Sequence, residues 1–404
     1  MWCNPICAIF KLHDQYSSDS YFFFLLFFPL PLILSIVYPE SFFPHKISHP
    51  KQKVFSSYPP HIFKFSSYQE SPLSKNRLIL PENQLTSSNN NKMRVLLVND
   101  DGGPNDLASP YVKYLVEAIE KHTNWDLKIV VPISQKSWIG KAHFAGRDVT
   151  VKYIYSSIEH PEDNSYHGPF GLPQEKLRAN KALKEWCLVD DGTPATCADI
   201  GINHIMGRDN VDLVLSGPNV GRNSTSLYAL SSGTIGGAME GCSHGKKAIA
   251  LSFAYEKRFD TDPEILKQAA LISVKTVEKL YSSWADGVDL YTINIPLISD
   301  LKFGKTRIFR TPMLRNRWKK SLFSESSRKL EDTDSRHLDI VDESVSAGQL
   351  YKWSPDFELV HRDVAASTEF TDGKAISQGY VSVTALKTAF AQVDKENTGE
   401  IHLE

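Results

Sequence analysis

From Arg94 onward, apolar residues come in short continuous runs separated by tight polar turns. Val95-Leu96-Leu97-Val98 runs into Asn99-Asp100-Asp101-Gly102-Gly103, the pattern of a strand buried on both faces that stops abruptly in a turn. Ser109-Pro110 then offers a helix cap with proline at the first helical position, and Val112, Leu115, Val116 and Ile119 recur on one helical face. Further strands are predicted at Leu127–Val131, Trp186–Val189, Val211–Leu215, Ala248–Phe253 and Leu290–Ile295. Helices are predicted from Thr193-Pro194, from Ser232 and from Asp262-Pro263, the last carrying Ile265, Ala269, Ile272 and Leu280. Strands alternating with helices predict an α/β fold with a mostly parallel sheet and right-handed crossovers.

Residues 1–92 break this pattern. An apolar, aromatic run over 21–38, interrupted by Pro29 and Pro31, is followed by Ser, Pro, Lys and Asn-rich sequence up to Asn91. Two readings stand. The run is uncharged and near the minimum length of a membrane span, and the lysines after it (Lys46, Lys51, Lys53, Lys64) would leave the main domain facing the cytosol. Alternatively the leader is an extension with no folded role, and Met93 opens a cytoplasmic domain. A cleaved secretory signal fits less well, because no small-residue cleavage site follows promptly. The expected organisation is a leader over 1–92, a catalytic-type domain over 93–390 and a tail over 391–404. Insertions near 160–184 and 321–345 are read as surface loops without chemistry.

Composition narrows the partners. Forty-five Lys and Arg against 47 Asp and Glu leave a formal charge of -2, so no global field recruits a nucleic-acid duplex or a membrane surface. Cys3, Cys7, Cys187, Cys197 and Cys242 are few, odd in number and unclustered, which argues against a disulfide framework or a thiolate zinc site.

In an open parallel sheet, ligands bind outside the carboxyl ends of the strands, so the turns there are the places to look for chemistry. Asp100 and Asp101 place two hard oxygen ligands at one strand end, suited to Mg2+ or Mn2+; an Asx turn with a capping carboxylate accounts for only one of them. Ser216-Gly217-Pro218-Asn219-Val220-Gly221-Arg222-Asn223 offers a neutral oxygen ligand in Asn219 and phosphate-facing groups in Arg222 and Asn223. Taken alone, that loop reads equally as a glycine-rich packing turn. Ser232-Gly233-Thr234 gathers hydroxyls and free amides at a helix N-terminus, which attracts anions and also suits an ordinary Ser232 cap. Asp190 and Asp191, beside Thr193-Pro194, read as structural. His143, His204 and His244 are isolated and read by default as surface or satisfied interior residues, with His143 the one placed to reach a substrate. Gly102-Gly103-Pro104 lacks the spaced glycines of a dinucleotide fingerprint, which sets aside a nicotinamide enzyme.

Taken together, the ordered motifs resemble those of the survival protein SurE family of metal-dependent 5'/3'-nucleotidases and acid phosphatases. The resemblance rests on Asn99-Asp100-Asp101-Gly102, the Ser137 loop after Val131-Pro132, Gly192-Thr193-Pro194, Ser216 to Gly221, Ser232-Gly233-Thr234 and Gly379 to Thr384. It spans Arg94 to about Leu386. The form Ser137-Trp-Ile-Gly-Lys-Ala-His143 and the two insertions look most like the fungal phosphatase branch. The leader has no counterpart in the family, and Thr371-Asp372-Gly373-Lys374 departs from its pattern.

The resemblance implies a Rossmann-like core with an extended C-terminal arm, to which Tyr380–Thr384 would belong, and a homodimer or higher homo-oligomer. It implies a divalent metal, Mg2+ or Mn2+, held by Asp100, Asp101, Ser137 and Asn219. Asn223, Ser232, Gly233 and Thr234 would hold the phosphate, and Asp100, Asp101, Asn223, Ser232 and Thr234 would form the catalytic set. The expected activity is hydrolysis of small phosphate monoesters, including nucleoside monophosphates. The rival class is a nucleotide-binding or scaffold protein on the same fold.

Overall fold

The computed structural model describes residues 8–12, 21–25, 92–255, 261–326, 349–391, 401 and 403. The chain divides into two units, Met1–Leu85 and Thr86–Glu404. In the first, β1 (Ala8–Leu12) pairs antiparallel with β2 (Tyr21–Leu25). The start of the apolar run is therefore extended strand, and its remainder, 26–38, lies outside the described residues. Among the described residues no helix is long and apolar enough to cross a membrane.

The second unit carries a ten-stranded sheet among its described residues. In chain order its elements are β3 (Arg94–Val98), α1 (Val112–His122), β4 (Asp126–Pro132), β5 (Thr150–Ser157), β6 (Tyr166–Phe170), α2 (Glu175–Arg178), β7 (Leu183–Asp190), α3 (Pro194–Ile200) and β8 (Leu213–Val220). There follow α4 (Thr225–Ser231), α5 (Gly233–Ser243), β9 (Lys247–Ala254), α6 (Pro263–Ser282), β10 (Leu290–Pro296), β11 (Ile308–Arg310), β12 (Phe323–Glu325), β13 (Tyr351–Trp353), α7 (Phe357–Ala366), α8 (Asp372–Ser377) and β14 (Val381–Leu386). The sheet order is β11-β14-β10-β9-β8-β3-β4-β7-β5-β6. The central pairs from β10 through β7 are parallel, while β14, β5 and β6 add antiparallel margins. This is the expected α/β Rossmann-like arrangement.

Both faces of the sheet are covered, which is why its central strands are apolar without alternation. Val95 and Leu97 join the layer under α1 and α6, with Leu115, Ile119, Ile272 and Val277. Leu96 and Val98 face the opposite layer with Cys197, Ile202 and Ala238. The order reverses at β3, whose neighbours are β4 on one side and β8 on the other. That switch opens a crevice at the carboxyl ends of β3 and β8.

Several local expectations change. Helix α1 starts at Val112 with no side-chain cap; Ser109 is instead engaged by the Asn105 carbonyl through its backbone and by the Asn99 amide through its hydroxyl. Strand β8 does not stop at Leu215 but continues to Val220, with a register shift against β9 between Ser216 and Asn219. Gly217 makes this possible: at φ +126°, a Cβ would lie 2.1 Å from the Leu251 carbonyl oxygen. The 160–184 excursion contains β6 and α2. The edges of the 321–345 insertion pair as β12 and β13, and 327–348 lie outside the described residues. Finally, the segment assigned to an extended arm forms β14, which pairs with β10 over Leu290↔Leu386 to Asn294↔Ser382. Its residues Val381 to Thr384 are buried, so the sheet gains more by absorbing them than by leaving them in a projecting arm. Cys187, Cys197 and Cys242 are free thiols; Cys3 and Cys7 lie outside the described residues.

Candidate functional site

The turn after β3 is built around Asn99. Its side chain accepts from the Gly102 amide at 3.0 Å and donates to the Gly102 carbonyl at 2.8 Å, closing a tight loop that presents Asp100 and Asp101. Both are buried, at 3% and 1% exposure. Asp100 Oδ1 accepts from Thr234 Oγ1 at 2.6 Å. Asp101 Oδ2 accepts from the Val220 amide at 2.8 Å and Oδ1 from Gln135 Nε2 at 3.1 Å. The β3 turn, the loop after β4 and the end of β8 are thus tied together through one carboxylate.

Burial pushes the Asp100 carboxyl up to about 6, against the opposing effect of the Thr234 hydrogen bond. No cationic side chain figures among the causes of that shift. A desolvated carboxylate without a counter-charge is costly, so this position is one where an external cation would be strongly favoured. Gly233 is what allows α5 to approach so closely: a Cβ there would stand 2.8 Å from Asp100 Cβ.

Beside this turn lies a cavity of about 530 Å³ lined by residues that include Ser137, Asn219, Arg222, Asn223 and Ser232. The Asn219 amide nitrogen donates to the Gly221 carbonyl at 2.8 Å, so Oδ1 is the atom of that side chain that could serve as a ligand. Asn223 is held at both ends: its amide donates to Asn294 Oδ1 and its Nδ2 to Ser252 Oγ, each at 2.8 Å. Ser232 Oγ caps α5 by accepting from the Ile235 amide at 3.0 Å. The structure therefore brings Asp100, Asp101, Ser137, Asn219, Asn223, Ser232 and Gly233 to one end of the sheet. Thr234 is also there, but its only hydroxyl proton is committed to Asp100 and it is fully buried. It supports the carboxylate and cannot donate to a phosphate at the same time.

The histidines read from the sequence sit elsewhere in the bonding pattern. His143 bonds Thr196 Oγ1 at 3.2 Å and Glu240 Oε2 at 3.3 Å. His244 lies 2.9 Å from Asp199 and 3.2 Å from Glu240. Asp199, Glu240 and His244 hold potential ligand atoms within 4.8 Å of one another, yet Glu240 is also paired with Lys141 at 2.6 Å. That cluster carries its own cation in Lys141. Asp190 and Asp191 pair with Lys152 and Arg147, in keeping with a structural role.

Sequence reading missed the rest of the pocket lining: Trp138, Tyr228, Tyr255, Phe357 and His361. Burial and the nearby Arg222 charge hold His361 below the ordinary histidine range. Phe357 and His361 come from α7, beyond the insertion, where an amphipathic pattern gives no hint of which residue turns toward a distant cavity.

Residues 95–320 match the sequence pattern of the family described as "Survival protein SurE". The chain is 38% identical over 323 residues to the "Probable tubulin--tyrosine ligase PBY1" of Saccharomyces cerevisiae, covering 75% of this chain and 42% of that protein. The chain thus spans under half the length of that relative. It is 27% identical over 299 residues to the "5'-nucleotidase SurE" of Archaeoglobus fulgidus, covering 73% of this chain and 91% of the relative. Among solved structures, the SurE protein from Aquifex aeolicus matches with a TM-score of 0.48 at 23% identity, covering 74% of this chain and 94% of that one.

Proposed function

The chain belongs to the SurE family, and from that premise we propose that it is a metal-dependent phosphomonoesterase acting on nucleoside monophosphates and related small esters. One observation carries the reading: Asp100 and Asp101, from the turn after β3, and Asn219, from the end of β8, converge beside one cavity, with the buried Asp100 carboxylate lacking a cationic partner among the causes of its shift. The donor set is all hard oxygen and fits Mg2+ or Mn2+.

Asp100, Asp101, Ser137 and Asn219 would hold the ion. When bound, it supplies Lewis-acid neutralisation of phosphoryl charge. The protein's own groups do the rest. Ser232 and Gly233, at the start of the 11-residue helix α5, would receive phosphoryl oxygens. Asn223, fixed by Ser252 and Asn294, presents a pre-oriented polar edge, and Arg222 adds positive charge to the lining. Thr234 keeps Asp100 in place. In the reaction water oxygen bonds to phosphorus, the ester P–O bond breaks, and the departing alcohol takes up a proton.

Two other readings are weighed against this. The ligase name of the yeast relative is not carried over, because the shared stretch covers 42% of that protein. A non-catalytic nucleotide-binding protein on the same fold would retain the pocket without turnover. Phosphate release from 5'-AMP and p-nitrophenyl phosphate with Mg2+ or Mn2+ separates the two: the enzyme reading expects turnover abolished by Asp100→Asn, and equal background in parent and variant would defeat it.

A further inference from the structure

Beside its polar lining, the pocket has a set of aromatic rings, an aromatic wall. Trp138, Tyr228 and Phe357 line the cavity and belong to a connected set of rings with Trp318 and Trp353. Trp138 is central, its ring centroid 5.2 Å from Trp353, 5.9 Å from Phe357, 6.1 Å from Tyr228 and 6.3 Å from Trp318. Phe357 also lies 5.8 Å from Trp353 and 6.0 Å from Tyr228. These are the spacings of tilted and edge-to-face aromatic packing.

The rings come from the loop after β4, from α4, from the stretch entering β12 and from β13 and α7, so the wall exists only in the folded chain. It is also held from behind. Asp372, buried at the start of α8, accepts from the Thr225 amide at 2.8 Å and from the Leu314 amide at 3.0 Å. One carboxylate thereby pins the beginning of α4, which bears Tyr228, and the stretch that leads to Trp318. Trp138 itself sits at φ +64°, a conformation that a bulky residue keeps only when its surroundings enforce it.

Despite this support, Trp353 and Phe357 stay 43% and 38% exposed. Large rings left open beside a polar cavity form a surface that pairs with a flat apolar group. The cavity lining is thus amphiphilic, with amides, hydroxyls and Arg222 as well as aromatic rings. We propose that the aromatic wall binds the planar ring system of the ester, a nucleobase or an aryl group, while the polar lining takes its phosphate. This rests on the phosphomonoesterase reading above and narrows it to ring-bearing monoesters over alkyl ones.

The test uses the full chain with Mn2+, comparing kcat/KM for 5'-AMP, p-nitrophenyl phosphate and glycerol 2-phosphate in the parent, Trp353→Ala, Trp353→Phe and Phe357→Leu. The parent should favour both ring-bearing esters. Trp353→Ala should cut that preference about tenfold, as loss of one ring stack does, chiefly through KM, while Trp353→Phe retains most of it. A preference for AMP alone would assign the wall to nucleobases, and a shared preference to aromatic rings generally. The idea is overturned if Trp353→Ala and Phe357→Leu both keep the parent's preference, or if the parent has none. Should no ester be hydrolysed, the phosphomonoesterase reading falls, and calorimetry with adenosine alone decides the wall: binding weakened in Phe357→Leu supports it, and no binding sinks it.

Discussion

The two ends of α5 handle buried carboxylates in opposite ways. At the N-terminal end Asp100 receives a hydroxyl from Thr234 and has no cationic side chain among the causes of its shift, and burial pushes its carboxyl up to about 6. Toward the other end, Glu240 is similarly buried, but Lys141, His143 and His244 stand within 3.3 Å of it. Burial works to raise Glu240, and the hydrogen bonds and charges of Lys141 and His143 outweigh it, holding the carboxyl below its ordinary value. An acid with its own cation, here Lys141, is neutralised from within. An acid without one is where an ion from solution gains most, so the lack of a cationic partner among the described residues is more telling than a count of nearby acids.

The largest effect that would sharpen this contrast is kinetic. Asp100→Asn should lower phosphate release on the order of a hundredfold or more, whereas Glu240→Gln should change it by less than about threefold, since charge-assisted bonds remote from the pocket act on stability. Initial rates at saturating Mn2+ measure both, and similar losses would break the comparison.

Next in size is Gly233→Ala. The added methyl group would stand 2.8 Å from Asp100 Cβ, so about 1–3 kcal/mol of stability should be lost together with Mn2+ affinity. Urea denaturation and calorimetric titration report the two quantities. Glu240→Gln should cost about 1–2 kcal/mol with Mn2+ affinity intact; weakened metal binding would mean that the two ends of α5 are not independent.

The smallest effect is on pH dependence. The folded-state value of Asp100 lies above the unfolded one, so ionising it destabilises the folded protein. That cost is absent below the unfolded value and grows as pH rises through about 6. Metal-free protein should therefore gain stability from this group between pH 7 and pH 5, raising Tm by about 2–4 °C per kcal/mol, and Asp100→Asn should flatten the trend. Glu240 has the opposite sign. Its value is depressed, so its contribution is present above the unfolded value and lost as pH falls through the folded one. A parent Tm that falls steadily from pH 7 to pH 5, matched by the variant, would count against the assignment.

Much of the frame was legible from local patterns. The apolar run Val95 to Val98 and the aspartates after it sit as expected, because a strand covered on both faces needs no partner information to be recognised. Caps at Thr193, Ser232 and Asp262 were equally local and are formed. Ser109 was misread because its bonds to Asn105 and Asn99 depend on how the preceding loop folds back. The end of β8 was placed too early because only the packing of Gly217 against Leu251 shows that the strand continues. The Thr234 hydroxyl, which local sequence offers as a phosphate donor, donates instead to Asp100, 134 positions away.

By itself, then, the chain's order of apolar runs, caps and turns determined the α/β frame and which polar turns lie at strand ends, since these depend on neighbours within a few residues. Tertiary structure alone decided which hydroxyl serves which carboxylate, that Glu240 is paired with Lys141 while Asp100 forms no ion pair among the described residues, and that Trp138, Trp353 and Phe357 meet. The physical reason is that hydrogen bonds, desolvation and ring contacts act over a few ångströms in space, between groups whose separation along the chain carries no trace of that distance.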